Sequence, residues 1–339
     1  MAVRLKDIAE DLGVSLVTVS KVLRNKPDIG ASTRKRVLKR VMELNYRPNM
    51  LARGLASGKS YTVGLIVPDL VHTFFAELAR GVSTKLRSES YQLILASAEE
   101  DPKLERLEIE HLLARGVDAL LIASCQNSTN GFKSLIKSKI PYVLIDRLLP
   151  KISAYFVGTN DVAVGHMATE HLIKLGRKRI AHIGGELIST SVGRLNGYKE
   201  ALAANHIPLR QELVATRSRL EEDGVQIGNH AMDDLLRLRR RPDAVFCYND
   251  ITAVGAIHCI LANNLRVPED IAVIGCGNLR MSSYLEVSLS SIDQSTLQQG
   301  EAAADLALFL IAQKHKRGTR HFLIEPKLIA RASTIGNKL

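Results

Sequence analysis

The sequence predicts an α/β chain in which a small all-helical unit precedes two parallel-sheet lobes. Three observations carry that prediction. Apolar residues recur at helical spacing over residues 5–23, on either side of a single glycine. From residue 61 onward, short β-branched apolar runs alternate with helical stretches, as parallel βαβ units require. Charge divides at the same place: residues 1–60 hold 13 Lys and Arg against 5 Asp and Glu, and the rest of the chain 33 against 30. A basic head on a near-neutral body suits a polyanionic partner for the head. A solvated basic face kept for solubility accounts for a modest excess, but not for its confinement to one end.

In residues 5–23, LKDIAEDLGVSLVTVSKVL, Leu5, Ile8, Ala9 and Leu12 share one helix face. Gly13 breaks the period, and Ser15 is a candidate N-cap for a second helix with Val19, Val22 and Leu23 as its stripe. Two such helices about a tight turn form a helix-turn-helix; an ordinary helical hairpin in a core is the competing reading. A loop over 24–30 carries Pro27 and Gly30. A third helix is expected from about residue 31 to 45, with Val37, Val41 and Leu44 on one face and Arg34, Lys35, Arg36, Lys39 and Arg40 crowding its early and middle turns. Residues 48–60, PNMLARGLASGKS, read as a hinge. The helix-forming stretch 49–56 is too short to be stable alone, and Gly54 weakens it further.

In the body, strands are expected at 62–67, 92–96, 117–123 and 142–145, with helices near 74–87, 104–114 and 132–138. The pattern restarts with strands at 179–183, 244–247 and 271–274 and helices at 164–175, 194–203, 228–238 and 251–263. A last long helix spans 297–314, and strand candidates at 321–324 and 328–330 follow. Open parallel sheets bind ligands beyond the carboxyl ends of their strands. The polar residues placed there include Asp69, Ser124, Asp146, Arg147, Asn249, Asp250 and Asn278, which converge if the lobes face each other.

Composition narrows the function. Apolar residues make up 46% of the chain and charged residues 24%, so it is globular, and its length predicts two or three domains. Cys125, Cys247, Cys259 and Cys276 stand far apart without a CxxC pair, and the histidines lack metal-ligand spacing, so no metal site or disulfide framework is expected. The start is charged within four residues, and no apolar run approaches the ~20 residues that span a bilayer, so a cytoplasmic protein without membrane contact is expected. A Walker A motif and a G-x-G-x-x-G after the first strand are both missing, and no catalytic set stands out. No cofactor and no enzymatic activity are expected.

The opening helix pair, followed by NYRPNMLARGLASGKSYTVGLIVPDL, resembles the LacI/GalR family of bacterial transcriptional repressors. The resemblance runs over essentially the whole chain, through FFAELARGV (74–82), LIDR (144–147), GRLNGYKEAL (193–202), AVFCYNDITAVGA (244–256) and SSIDQST (290–296). It implies a helix-turn-helix headpiece over 1–47, a hinge helix and linker over 48–60, and a periplasmic-binding-protein-like sensor over 61–339 made of two Rossmann-like subdomains. Lobe one would comprise about 61–159 plus 294–323, and lobe two about 160–293 plus 324–339. It also implies a homodimer on a near-palindromic operator in double-stranded DNA, because two-fold protein symmetry mirrors operator symmetry, and control by a small-molecule effector in the interlobe cleft. Nine residues follow position 330 without a leucine heptad, so a dimer is the expected assembly.

By that resemblance the second helix, from Ser15, is the recognition helix, with Leu16 and Val17 at the base-facing positions. Both are apolar and lack the donors that single out guanine or adenine, which leaves thymine methyls or DNA shape. Val17 lies beside the apolar stripe, so core packing is its competing reading. Thr18, Ser20 and Lys21 are candidates for phosphates or base edges, and Asn25, Arg34 and Tyr46 for the DNA backbone. Leu55 would wedge into the minor groove at the operator centre, with Asn49, Ala52 and Arg53 lining that groove; packing of one hinge on its partner is the alternative for Leu55. In the sensor, Phe74 and Phe75 would stack on a ligand or pack in the core. Arg194 matches the family's ligand-binding arginine, and Asn249 and Asp250 match a ligand-contacting motif, a turn cap being the alternative for Asp250. The chain departs from sugar-sensing members at GCGN (275–278), where they carry acidic residues. With Arg147 and Arg194 nearby, that departure admits an acidic effector such as a sugar acid or sugar phosphate. A solute-binding protein, a transcriptional activator and an α/β enzyme are the competing functions; the first leaves the charge of residues 1–60 unexplained, and the last needs a nucleophile or cofactor motif that the sequence does not show.

Overall fold

A computed structural model describes residues 3–23, 26–46, 54, 58–149, 151–152, 154–185, 188–216, 224–313 and 318–336. The chain divides into two compact units, Met1–Ser60 and Tyr61–Leu339.

In the first unit, α1 (Leu5–Leu12), α2 (Leu16–Leu23) and α3 (Ala31–Glu43) close around Ile8, Ala9, Val19, Val22 and Val37. Gly13 ends α1 in the left-handed region at φ +60°, where a side chain would be strained. Arg40 on α3 is salt-bridged to Asp11 of α1 and to Glu43, and Arg36 donates to the carbonyl of Leu12 at 3.0 Å. Part of the positive charge on α3 therefore clamps the unit together. The expected hinge lies outside the described residues, apart from Gly54 and residues 58–60.

The second unit holds two parallel-sheet lobes. The first sheet has the order β2-β1-β3-β4-β5-β11, built from β1 (Thr62–Val67), β2 (Gln92–Ser97), β3 (Ala119–Ile122), β4 (Tyr142–Ile145), β5 (Tyr155–Thr159) and β11 (Arg320–Ile324), all parallel. One face is covered by α4 (Thr73–Ser88) and α11 (Thr296–Ala312). The other is covered by α5 (Pro102–Ala114) and α6 (Lys133–Ser138). The second sheet has the order β7-β6-β8-β9-β10-β12, from β6 (Ile180–Gly184), β7 (Val214–Thr216), β8 (Ala244–Cys247), β9 (Ala272–Cys276), β10 (Ser290–Asp293) and β12 (Lys327–Ile329). Only β12, at the edge, runs antiparallel among these described strands. Its faces carry α7 (Asp161–Lys174) with α8 (Ser189–Ala204), and α9 (Gly224–Leu236) with α10 (Asp250–Ala262). The inner strands β1, β3, β4, β8 and β9 are buried on both faces and nearly all apolar, which is why they stand out in the sequence.

The helix pair α7–α8 fixes one wall of the cleft. A Cβ on Gly165 would lie 2.0 Å from the carbonyl oxygen of Arg194, and one on Gly197 2.0 Å from that of Val162. Only glycine permits this approach, and it sets the depth at which α8 carries Arg194. The chain passes between lobes after β5, after β10 and after β11. Gln299 ties two of these crossings, donating to Thr159 at 3.0 Å and to the carbonyl of Gln294 at 2.8 Å.

Candidate functional site

The helix-turn-helix presents an unusual outward face. Ser15 caps α2, its hydroxyl accepting from the Thr18 amide at 3.0 Å and lying 2.8 Å from the Thr18 hydroxyl. Val19 and Val22 turn inward, whereas Leu16 is 48% exposed and Val17 is 60% exposed. That exposure removes the core-packing reading for Val17. Together with Ser20, Lys21, Lys26, Pro27 and Asp28 they line one shallow groove. Lys21 is ion-paired with Asp28 at 2.5 Å. Arg34 is occupied within the unit, donating to the carbonyl of Lys26. Tyr46 packs half-buried against the core. Asn25, Asn49, Ala52, Arg53 and Leu55 lie outside the described residues.

In the second unit a cavity of about 40 Å³ opens between the two sheets, at the carboxyl ends of their strands. His72, Phe74 and Phe75 come from the start of α4, Asp146 and Arg147 follow β4, Arg194 projects from α8, and Tyr248, Asn249, Cys276, Gly277 and Gln294 follow β8, β9 and β10. The cavity is smaller than the roughly 300 Å³ at which drug-sized pockets begin, so a sugar-sized ligand requires the lobes to part. Phe74 and Phe75 meet edge to face with centroids 5.1 Å apart, and His72 stands 5.7 Å from Phe75. Both phenylalanines also belong to the lobe-one core, so they join packing to a cavity wall.

The charges are arranged in buried pairs. Arg147 makes a bidentate contact with Glu100 at 3.1 and 3.2 Å and donates to the carbonyl of Ser124 at 3.2 Å. Its buried Nε has no partner among the described residues. Arg194 donates from Nε to Asp161 at 2.9 Å and from Nη1 to the carbonyl of Tyr248 at 2.8 Å, with its guanidinium 4.9 Å from the Tyr248 ring centre. Burial pushes the Asp161 carboxyl up to about 7, against the opposing pull of Arg194, and Asp146 adds to the rise. Asp146 is held at φ +62°, and burial pushes its carboxyl up as well, with Arg194 and Arg147 opposing. The buried Nε2 of Gln294 has no partner among the described residues. The cavity therefore offers donors at Arg194 and Gln294 and an acceptor at Asp146, beside aromatic walls.

Of the sensor residues expected from the sequence, Phe74, Phe75, Asp146, Arg147, Arg194 and Asn249 come together at this cavity. Four do not. Asp69 closes a turn by accepting from the Val71 amide at 2.7 Å. The Ser124 hydroxyl is committed to the buried Glu105 carboxylate at 2.7 Å. Asp250 accepts from the Leu279 amide and the Ser282 hydroxyl, both at 2.8 Å, and from the Ser291 hydroxyl at 2.6 Å, which makes it the cap that fixes the loop after β9. Asn278 turns away, at φ +48°, to accept from Arg331 at 2.6 Å. Gly277 of the GCGN stretch also lines the cavity, as its place beyond β9 predicts; His72, Tyr248, Cys276 and Gln294 are lining residues not anticipated. Tyr248 and Gln294 lie within quoted motifs, where only the neighbours drew notice, and His72 directly precedes the helix of Phe74. Among the described residues no group of His, Cys, Asp and Glu forms a metal cluster, and no helix is long and apolar enough to cross a membrane.

Comparison with known proteins agrees with this arrangement. Residues 4–49 match the model for bacterial regulatory proteins of the lacI family, and residues 169–334 match that for a periplasmic binding protein-like domain. The chain is 32% identical to catabolite control protein A of Priestia megaterium over 90% of this chain and 92% of that protein. It is also 32% identical to the HTH-type transcriptional repressor PurR of Mannheimia succiniciproducens, over 97% of this chain and 98% of that one. Among solved structures, the lac repressor dimer bound to operator and the anti-inducer ONPF superposes with a TM-score of 0.84, at 25% identity and over 98% and 99% of the two chains. The transcriptional regulator CelR–cellobiose complex gives 0.71 at 27% identity, over 98% and 99%. The chain belongs to the lacI family of bacterial regulatory proteins and is a DNA-binding transcriptional regulator.

Proposed function

We propose that the protein is a repressor that binds a near-palindromic operator as a homodimer and is controlled by a small, neutral, polar effector held between its lobes. The observation that carries the effector reading is the cavity at the strand ends, where Arg194 and Gln294 supply donors, Asp146 an acceptor, and Phe74, Phe75 and Tyr248 flat apolar walls. In the sequence, Arg147 and Arg194 admit an acidic effector. Arg147 is already ion-paired with Glu100, and Arg194 spends its Nε on Asp161 and its Nη1 on the Tyr248 carbonyl, so a ligand anion finds few free donors there. A sugar or other polyhydroxyl molecule suits these donors and acceptors better.

The headpiece is assigned to 1–47, the hinge to 48–60 and the sensor to 61–339. The hinge residues Asn49, Ala52, Arg53 and Leu55 and the headpiece residues Asn25, Arg34 and Tyr46 are assigned to the DNA backbone and minor groove on the family pattern alone. Homodimerisation is assigned on the same family pattern, two-fold protein symmetry mirroring operator symmetry. Thermal unfolding with a panel of neutral sugars, sugar acids and sugar phosphates tests the effector. A neutral sugar should give the largest rise in Tm; the largest rise with a sugar phosphate would overturn the neutral assignment.

A further inference from the structure

The groove on α2 points to a specific chemistry of base recognition. We propose that Leu16 and Val17 read the 5-methyl groups of thymine in the major groove, and that Asp28 keeps Lys21 from reading guanine. This deepens, and rests on, the DNA-binding assignment above.

In a helix-turn-helix the N-terminal residues of the second helix meet the base edges. Here those residues are Ser15 to Thr18 and, one turn on, Ser20 and Lys21. The hydroxyls of Ser15 and Thr18 lie 2.8 Å apart, and Ser15 also accepts from the backbone, so both serve the cap. Val19 and Val22 are spent in the core. What faces outward is a pair of adjacent branched aliphatic side chains, on a unit whose excess of positive charge suits a polyanion. Guanine is singled out by the paired donors of Arg or by Lys, and adenine by Asn or Gln; thymine alone presents a methyl group to the groove. Lys21 is the cation on this groove wall nearest Val17 in the helix, at i+4, and its ammonium is bound by Asp28. The Asp28 carboxyl is held below its ordinary range chiefly by that hydrogen bond. The pair thus competes with guanine for Lys21 and leaves the methyl readers unopposed on the helix, Lys26 lining the groove beyond its end. Ser20 lines the same groove, but a hydroxyl pairs with any base and discriminates little.

The experiment selects bound duplexes from a pool with a randomised palindromic core, using the full chain, and then replaces each selected dT by dU. That change deletes one methyl and leaves every hydrogen-bonding group in place. Loss of a buried methyl corresponds to about fourfold in affinity, ~0.8 kcal/mol at 1.4 kcal/mol per tenfold, and roughly fifteenfold for a symmetric pair of sites. That loss should appear at thymines in the half-sites and vanish in the L16A/V17A protein. Asp28→Asn should raise affinity for non-selected duplex and steepen the salt dependence by about one released ion per head. Half-sites without thymine, or dU duplexes bound as tightly as dT duplexes, overturn the inference while leaving the DNA-binding assignment intact. A pool from which no sequence is enriched overturns both. The dU comparison leaves the protein unchanged, so it decides the matter even if the double variant does not fold.

Discussion

Replacing Asp161 by Asn should change how the stability of the second unit responds to pH. Burial raises the Asp161 carboxyl from 3.8 to about 7, although Arg194 donates to it at 2.9 Å. Between those values the folded protein keeps a proton that the unfolded chain has released. This contribution is therefore complete below about pH 4 and is lost as pH rises through about 7. Three pH units at about 1.4 kcal/mol each give roughly 4 kcal/mol over that window. Asp146 and Asp250 act with the same sign, since burial raises both. His182 opposes them. Buried between Tyr198 and Phe246, its imidazole is pushed down to about 4, so its contribution is present above about pH 6.5 and fades as pH falls toward 4. These three groups persist in Asp161→Asn and largely cancel from the comparison with the parent. Urea unfolding of both proteins at intervals from pH 4.5 to 7.5 supplies the test. With m unchanged, the variant should gain on the parent by up to about 1.4 kcal/mol per pH unit as pH rises. Parallel profiles, or a variant that loses ground as pH rises, would show that the buried ion pair outweighs desolvation and would refute the reasoning.

Three further outcomes are expected. Arg194→Met strands the Asp161 carboxyl and the Tyr248 carbonyl, and should cost about 3 kcal/mol, a fall in Tm of roughly 5 °C by calorimetry; a fall under about 1 °C contradicts the pairing. Ser15→Ala removes the cap of α2 and should destabilise the first unit by about 1 kcal/mol while weakening operator binding; unchanged binding in a gel shift argues that α2 needs no cap. Gly165→Ala drives a methyl to 2.0 Å from the Arg194 carbonyl and should cost about 1–3 kcal/mol through displacement of α8, read as a lower urea midpoint; an unaltered midpoint refutes the tight α7–α8 contact.

The division into a basic helical unit and two parallel-sheet lobes was legible because each part leaves a strong periodic signal. Ser15 and Gly13 show the turn by their chemistry alone. Three strands escaped notice, and each has a physical reason. In β5 (YFVGT) the apolar run is broken by Gly158, β7 spans only three residues, and β10 (SSID) carries polar residues that are buried because Ser290 and Ser291 bond to Ser333, Thr334 and Asp250. At the cavity, Arg194 and Asn249 were legible from their motifs. Asp250 and Asn278 do not line it, the turn cap kept open for Asp250 being what is seen, because sequence gives a side chain's position along a strand end but not its direction. Asp250 turns onto the loop after β9, and Asn278 turns to Arg331. Gln294 escaped because its part depends on Gln299, which holds its carbonyl across the lobe crossing.

In the proposed switch, one molecule couples the cavity of the second unit to the DNA affinity of the first. Fluorescence anisotropy with a selected operator duplex, at fixed salt and with and without the neutral sugar that most stabilises the protein, tests it most directly. The sugar should shift the operator Kd by about 5- to 150-fold, roughly 1–3 kcal/mol of coupling, and Arg194→Met should abolish the shift while still binding the operator. An operator Kd that is unmoved by a saturating ligand, or one that shifts equally in Arg194→Met, would contradict it.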